Sequence, residues 1–176
     1  METNVLYYGD NLEILRKYIP DNSIDLIYLD PPFSSKKDYN IIFKEPSGKA
    51  PGAQIKAFED TWHWSQSAED TYREIVLNGP HKVAKLIDAM CEGIGRNDVM
   101  AYLVMMTARL LELRRVLRDT GSLYLHCDPT ASHYLKLVLD QVFGAVNFRN
   151  EIIWHYGQRT MHNPRKWNSK HDIILF

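Results

Sequence analysis

Asp30-Pro31-Pro32-Phe33 is the stretch of this chain best suited to chemistry. It follows Ile24-Asp25-Leu26-Ile27-Tyr28-Leu29, which after Asp25 is continuously apolar, as a strand covered on both faces would be. Two consecutive prolines cannot continue a central strand, so the apolar run must stop at Asp30. The Asp30 carboxylate and the Pro31 carbonyl are then two acceptors held by fixed φ angles. Aimed at the two hydrogens of an exocyclic amine on a flat ring, such a pair draws the nitrogen lone pair out of ring conjugation. The nitrogen moves toward tetrahedral geometry and can attack an electrophilic methyl group in line. The acceptors match charge that develops in the transition state, which is where binding accelerates a reaction. Phe33 offers a face on which an extruded base stacks, an interaction of about 1–3 kcal/mol. Taken alone, Asp30 is equally a turn-initiating residue before prolines, and Phe33 a core aromatic.

Other residues carry weaker signals. Asp10 follows Gly9 with Glu13 three residues on, the spacing of a helix cap. Asp128-Pro129 has the form of a cap followed by proline at the first helical position. Trp62 and Trp64 suit core anchoring better than stacking on a ligand. His126 and Cys127 are adjacent potential metal ligands, but no third and fourth ligand stands at suitable spacing, so no metal site is expected. Lys36, Lys37, Lys44, Lys49 and Lys56 are spread through a segment without periodicity, from Ser34 to about Thr61, which is expected to be a functional or mobile loop. Between positions 149 and 171, Arg149, Arg159, Arg165, Lys166 and Lys170 are balanced only by Glu151, with Tyr156 and Trp167 interleaved. Basic residues alternating with aromatics suit contact with nucleic acid.

The elements that must position these residues alternate in type. Val5-Leu6-Tyr7-Tyr8 reads as a short strand, followed by a helix with Leu12, Leu15 and Ile19 on one stripe. The apolar strand at 24–29 comes next. Helical spacing resumes with Tyr72, Ile75 and Val76, and again from Val83 to Ile94. The clearest helix runs from Asp98 to about Arg118, with Leu103, Met106, Leu110, Leu113 and Leu117 at alternating spacings of three and four; Gly121 is expected to end it. Ser122 to Cys127 reads as a strand, and Leu135, Val138, Leu139 and Val142 continue as a helix to Gly144. Arg149 to Tyr156 and Asp172 to Phe176 look like a closing pair of strands. This alternation predicts an α/β sheet with parallel middle strands, whose ligand crevice lies beyond the carboxyl ends of the strands. Three predicted strand ends carry acids: Asp10, Asp30 and Asp128.

Composition sets the frame. The 176 residues are 45% hydrophobic and 24% charged, as in an ordinary globular domain, and long enough to bury a sizeable core without staples. A net charge of −1 excludes a polycation, so any nucleic-acid surface must come from local clustering. Two cysteines are too few for a disulfide framework and suit a reducing compartment. With no apolar run long enough for a membrane span and no basic, apolar leader, the chain is expected to be cytoplasmic and free of the membrane.

Taken in order, the segments resemble the S-adenosylmethionine-dependent DNA amino-methyltransferases, in the beta-class order in which the catalytic motif precedes the methionine-binding half. Leu6-Tyr7-Tyr8-Gly9-Asp10 resembles that group's motif III, and Leu26 to Phe33 its motif IV, continued by Asp38-Tyr39-Asn40 and Asp60-Thr61-Trp62. Gly121 to Asp128 resembles a later strand, while Glu151-Ile152-Ile153-Trp154 and Lys170-His171-Asp172 resemble the closing hairpin. The resemblance implies a Rossmann-like methyltransferase sheet, mostly parallel, with an antiparallel C-terminal hairpin. It implies S-adenosylmethionine as methyl donor, with Asp10 and Asp30 beside it, and duplex DNA as substrate. Asp30, Pro31, Pro32 and Phe33 would be the catalytic set; Lys36, Lys37, Arg159, Arg165 and Lys166 would contact DNA. The group's aromatic-x-Gly-x-Gly cofactor turn has no counterpart among the nine glycines. Residues 1–176 are therefore expected to be the N-terminal, catalytic-motif part of the domain, without the cofactor-binding strands or the target-recognition region. Asp at position 30 leans toward adenine N6 as the methylated atom, with cytosine N4 as the alternative. A homodimer and a cognate restriction endonuclease are the protein partners the resemblance allows. A non-catalytic DNA-binding remnant that has lost cofactor binding is the alternative of a different class.

Overall fold

The computed structural model describes residues 4–31, 63–157 and 170–176. Helix α1 (Asn11–Tyr18) starts at Asp10, whose Oδ1 accepts the Leu12 N–H at 2.8 Å, and ends with Arg16 and Lys17 in its last turn. Acid at the start and base at the end both oppose the helix dipole. Its Leu12 and Leu15, with Ile19 just beyond, lie against the core as their spacing predicts. Strand β1 (Ile24–Leu29) follows, and then, past residues outside the described set, α2 (Gln66–Asn78) and α3 (His81–Ile94). Ser65 caps α2 through its hydroxyl, and Gly95, at φ +82°, ends α3 in a conformation that a side chain would strain.

Helix α4 (Asp98–Val116) is the centre of the molecule. Met100, Leu103, Val104, Leu110 and Val116 are completely buried, and the helix is apolar almost all round because α1, α2, α3 and α5 (Ser132–Leu139) all pack on it. Arg115 ties its last turn to the loop after α1, donating to the carbonyls of Leu15 and Ile19 and to the carboxylates of Asp21 and Glu112. Among the described residues no helix is long and apolar enough to cross a membrane.

Strand β2 (Leu117–Cys127) continues directly from α4, and the chain closes with β3 (Glu151–His155) and β4 (His171–Leu175). The sheet order is β1-β2-β4-β3. β1 runs parallel to β2, β4 is antiparallel to β2, and β3 is antiparallel to β4. One face carries Ile27, Leu125, Cys127, Ile173 and Leu175 into the same buried cluster as α4 and α5. By strand alternation the other face carries Tyr28, Tyr124, His126, Asp172 and Trp154. Tyr124 is stacked between Tyr28 (6.5 Å) and Phe176 (4.2 Å) on that second face.

Three expectations are corrected. The sheet is mixed, not mostly parallel: the terminal hairpin docks through β4, its second strand, which places an antiparallel strand against β2 and leaves one parallel pairing among the described residues. Val5 to Tyr8 is not a strand; no other strand lies beside it among the described residues, and an unpaired ladder has nothing to hold it. Instead Tyr7 stacks on Tyr18 at 5.5 Å. The long helix stops at Val116, because Leu117 turns extended and pairs with Ile24. Gly121 therefore lies inside β2, where the register slips between Ile24 and Leu26.

That slip explains the glycine. A Cβ at position 121 would stand 2.6 Å from Leu117 Cδ1 and 3.0 Å from the carbonyl oxygens of Asp25 and Arg118. Gly121→Ala is expected to destabilise the fold by about 1–3 kcal/mol through forced overpacking, measured as a lower urea midpoint. Gly93→Ala, inside α3 with nothing within 4 Å of the added carbon, serves as the control and should leave the midpoint unchanged or raise it slightly.

Candidate active site

Asp30 and Pro31 sit just past the carboxyl end of β1, where the strand stops because two prolines follow. The Asp30 side chain is 65% exposed. It is nevertheless held. Tyr28 is paired with Tyr124 and Leu29 with Leu125, so the next step places Asp30 beside His126 on the same face. His126 Nδ1 lies 3.1 Å from Asp30 Oδ1. The other ring nitrogen, Nε2, lies 3.2 Å from Asp172 Oδ2. Asp172 in turn accepts the Tyr156 hydroxyl on Oδ1 at 2.5 Å. His126 and Asp172 are only 19% and 18% exposed, so the middle of this chain of polar groups is sheltered, between an exposed carboxylate at one end and the exposed Tyr156 at the other.

Burial, and after it the bond to Asp172, push the Tyr156 phenol up to about 12. It therefore remains a proton donor to Asp172 across the neutral range. Cys127 is pushed up to about 12 as well, by burial first and then by the carboxylates of Asp128, Glu151 and Asp172. Cys127 faces the core cluster while His126 faces the site, so the two adjacent side chains point to opposite sides of β2 and cannot ligate one ion.

The remaining predicted residues separate into three groups. Asp10 is committed locally: beyond capping α1, its carboxylate takes Arg109 Nη2 on both oxygens, at 3.0 and 3.1 Å, while Arg109 Nε holds Asn11. Asp128 Oδ1 accepts the Ala131 N–H at 3.1 Å and its carbonyl accepts the Ser132 N–H, closing a turn ahead of α5; the helix itself begins at Ser132 with Ala131 at its cap, so Pro129 is not at its first helical position as expected. Trp64 anchors, donating to Glu69 Oε2, edge-on to Tyr72, with the Arg96 guanidinium 5.6 Å from both rings. Pro32, Phe33, Lys36, Lys37, Trp62, Arg159, Arg165 and Lys166 lie outside the described residues, as does the 34–61 loop.

Gly93-Ile94-Gly95, the nearest approach to a Gly-x-Gly turn, closes the C-terminal end of α3, where carbonyls rather than N–H groups point outward.

His126, Asp172 and Tyr156 were the residues that sequence reasoning missed as a group. Each falls on the site face by simple alternation, but their meeting depends on β4 lying between β2 and β3, which spacing alone does not reveal.

Several known proteins are similar to this chain in sequence. The StyLTI Mod subunit, a type III restriction-modification enzyme of Salmonella typhimurium, is 28% identical over 155 residues, covering 86% of this chain and 20% of that protein. The EcoP15I Mod subunit of Escherichia coli, of the same type, is 22% identical over 98% of this chain and 23% of its own length. The type II methyltransferase M.KpnI of Klebsiella pneumoniae is 23% identical over 97% of this chain and 31% of its own length. The chain thus spans between a fifth and a third of these relatives. Residues 24–176, from the first residue of β1 through β4, match the DNA methylases of N6/N4 type, and the chain belongs to that family.

Proposed function

We propose that this chain carries the amine-activating part of an adenine-N6 DNA methyltransferase that takes its methyl group from S-adenosylmethionine and acts on a base flipped out of duplex DNA. The observation that carries this reading is the Asp30 carboxylate, exposed at the end of a parallel strand yet held through one oxygen by His126. S-adenosylmethionine supplies the electrophilic methyl. Asp30 and the Pro31 carbonyl accept the two amine hydrogens, so that the nitrogen lone pair is freed from the ring. Phe33 stacks on the base, and Pro32 keeps it at a fixed distance from Asp30. Asp10 borders the adenosyl group, with Arg109 holding its carboxylate. Lys36, Lys37, Arg159, Arg165 and Lys166 meet backbone phosphates, which position the duplex without reading its sequence. Two of the relatives are Mod subunits of restriction-modification enzymes, which supports a cytoplasmic role beside a cognate restriction endonuclease. A homodimer is the further assembly consistent with this reading.

The test is product identification. The native protein is incubated with unmethylated bacterial DNA and methyl-labelled S-adenosylmethionine, and the DNA is digested to nucleosides. Label in N6-methyladenine is expected. Label in N4-methylcytosine would move the assignment to the other amine, and no transfer to DNA under conditions where the donor binds would overturn it in favour of a non-catalytic DNA-binding role.

A further inference from the structure

Asp30 could rotate freely about its χ angles at the end of β1, since most of its side chain is in solvent. An acceptor that must meet two amine hydrogens gains little from a carboxylate that samples several rotamers, because misplacement by about 1 Å can cost about a hundredfold in rate. Something has to hold it. His126 is the group that does so: it stands one strand over, on the same face, and only one-fifth exposed.

A carboxylate oxygen only accepts, so the ring serves two carboxylates at once only with a proton on each nitrogen, and the neutral ring serves one of them. Nδ1 faces Asp30 Oδ1, and Nε2 faces Asp172 Oδ2. Asp172 is itself fixed, because Tyr156 donates to its second oxygen. The imidazole plane is therefore set from the inner side, by β4 and the end of β3, before any substrate arrives. Oδ1 is the Asp30 oxygen that faces His126 Nδ1, at 3.1 Å, so Oδ2 is the one left for an incoming amine.

We propose that His126, braced by Asp172 and Tyr156, is a positioning residue for the Asp30 carboxylate. This rests on the methyl-transfer reading above, in which Asp30 is the acceptor. The competing role is purely structural: the bond from His126 to Asp172 would serve only to tie β2 to β4.

Two amide substitutions separate these roles in the native protein. In His126→Asn the side-chain nitrogen overlays Nδ1 and keeps a donor toward Asp30, while the link to Asp172 is lost. In His126→Gln the nitrogen overlays Nε2 and keeps the link to Asp172, while the donor toward Asp30 is lost. Positioning predicts that His126→Gln lowers kcat about 30- to 100-fold, with KM for DNA and for S-adenosylmethionine within about threefold and an unchanged melting temperature. His126→Asn should retain kcat within about fivefold. The reverse order of the two variants, or equal kcat in both, overturns the positioning role. Asp30→Ala is measured alongside. If it silences a working enzyme while the two amides reverse or coincide, only the role of His126 falls. If it leaves transfer intact, or the wild type methylates no DNA, the methyl-transfer reading falls and takes this inference with it.

Discussion

Asp30→Ala is expected to lower the rate of methyl transfer at least about a thousandfold, or about 4 kcal/mol of transition-state stabilisation, while the affinity for S-adenosylmethionine changes only a few-fold. The size follows from what the carboxylate does in the proposed mechanism. An aromatic amine in its ground state shares its lone pair with the ring and is a poor nucleophile. The acceptors become more strongly bonded as positive charge grows on the nitrogen, so their contribution appears in kcat and not in ground-state binding. The fold should survive the change. The Asp30 side chain is mostly in solvent and its ion pair among the described residues is with His126, so stability should move by no more than about 1 kcal/mol. The measurement is single-turnover transfer of label to DNA, with donor binding followed separately by calorimetry. Transfer near the wild-type rate would show that the acceptor argument is wrong. A loss of both turnover and donor affinity would place Asp30 chiefly at the donor.

Much of the arrangement around this residue was legible in the amino-acid order, and the reasons are physical. The end of the 24–29 strand was readable because prolines stop a ladder, and the structure ends β1 at Leu29; the cover on both faces expected from its apolar run is not found among the described residues, where Ile27 is buried but Leu26 and Tyr28 are 61% and 57% exposed. Helix α4 was readable because its stripe is long; the structure adds a cap that was not read, Asn97, which accepts the Met100 N–H. Asp10 was readable as a cap because capping is local, its carboxylate bonding to backbone two residues on, whereas Asp128 closes a turn ahead of α5 and does not cap the helix itself. What was not legible is whatever depends on neighbours in space. Val5 to Tyr8 has strand composition, yet strand character is a property of pairs, and no partner lies beside it among the described residues. Gly121 has the composition of a helix stop, yet it marks a slipped register opposite Asp25. His126 offered itself only as half of an unlikely metal pair with Cys127, because its real neighbours, Asp30 and Asp172, are 96 and 46 residues away in the chain.

The second large effect is on stability, and it reaches the site through α4. Leu103→Ala is expected to cost about 2–5 kcal/mol, the range for a fully buried leucine whose surroundings close only partly over the cavity. Leu103 is 0% exposed and lies in the cluster that unites α4 with Ile27 of β1, Leu125 and Cys127 of β2, and Ile173 of β4. Against a total stability of about 5–15 kcal/mol, that loss is a large fraction. Leu137→Ala on α5 is the control: this leucine is 48% exposed and its truncation should cost less than about 1 kcal/mol. Urea denaturation of the native protein separates them, since Leu103→Ala should lower the midpoint with little change in slope. No loop separates α4 from β2, so a loosened α4 also loosens the strand that carries His126. Leu103→Ala should therefore lose methyl transfer at a lower temperature than the wild type while keeping near-normal kcat well below that transition. A kcat that falls at every temperature would instead mean that α4 sets the Asp30–His126 geometry in the folded state, and a midpoint no lower than that of Leu137→Ala would show that α4 is not the element on which the sheet rests.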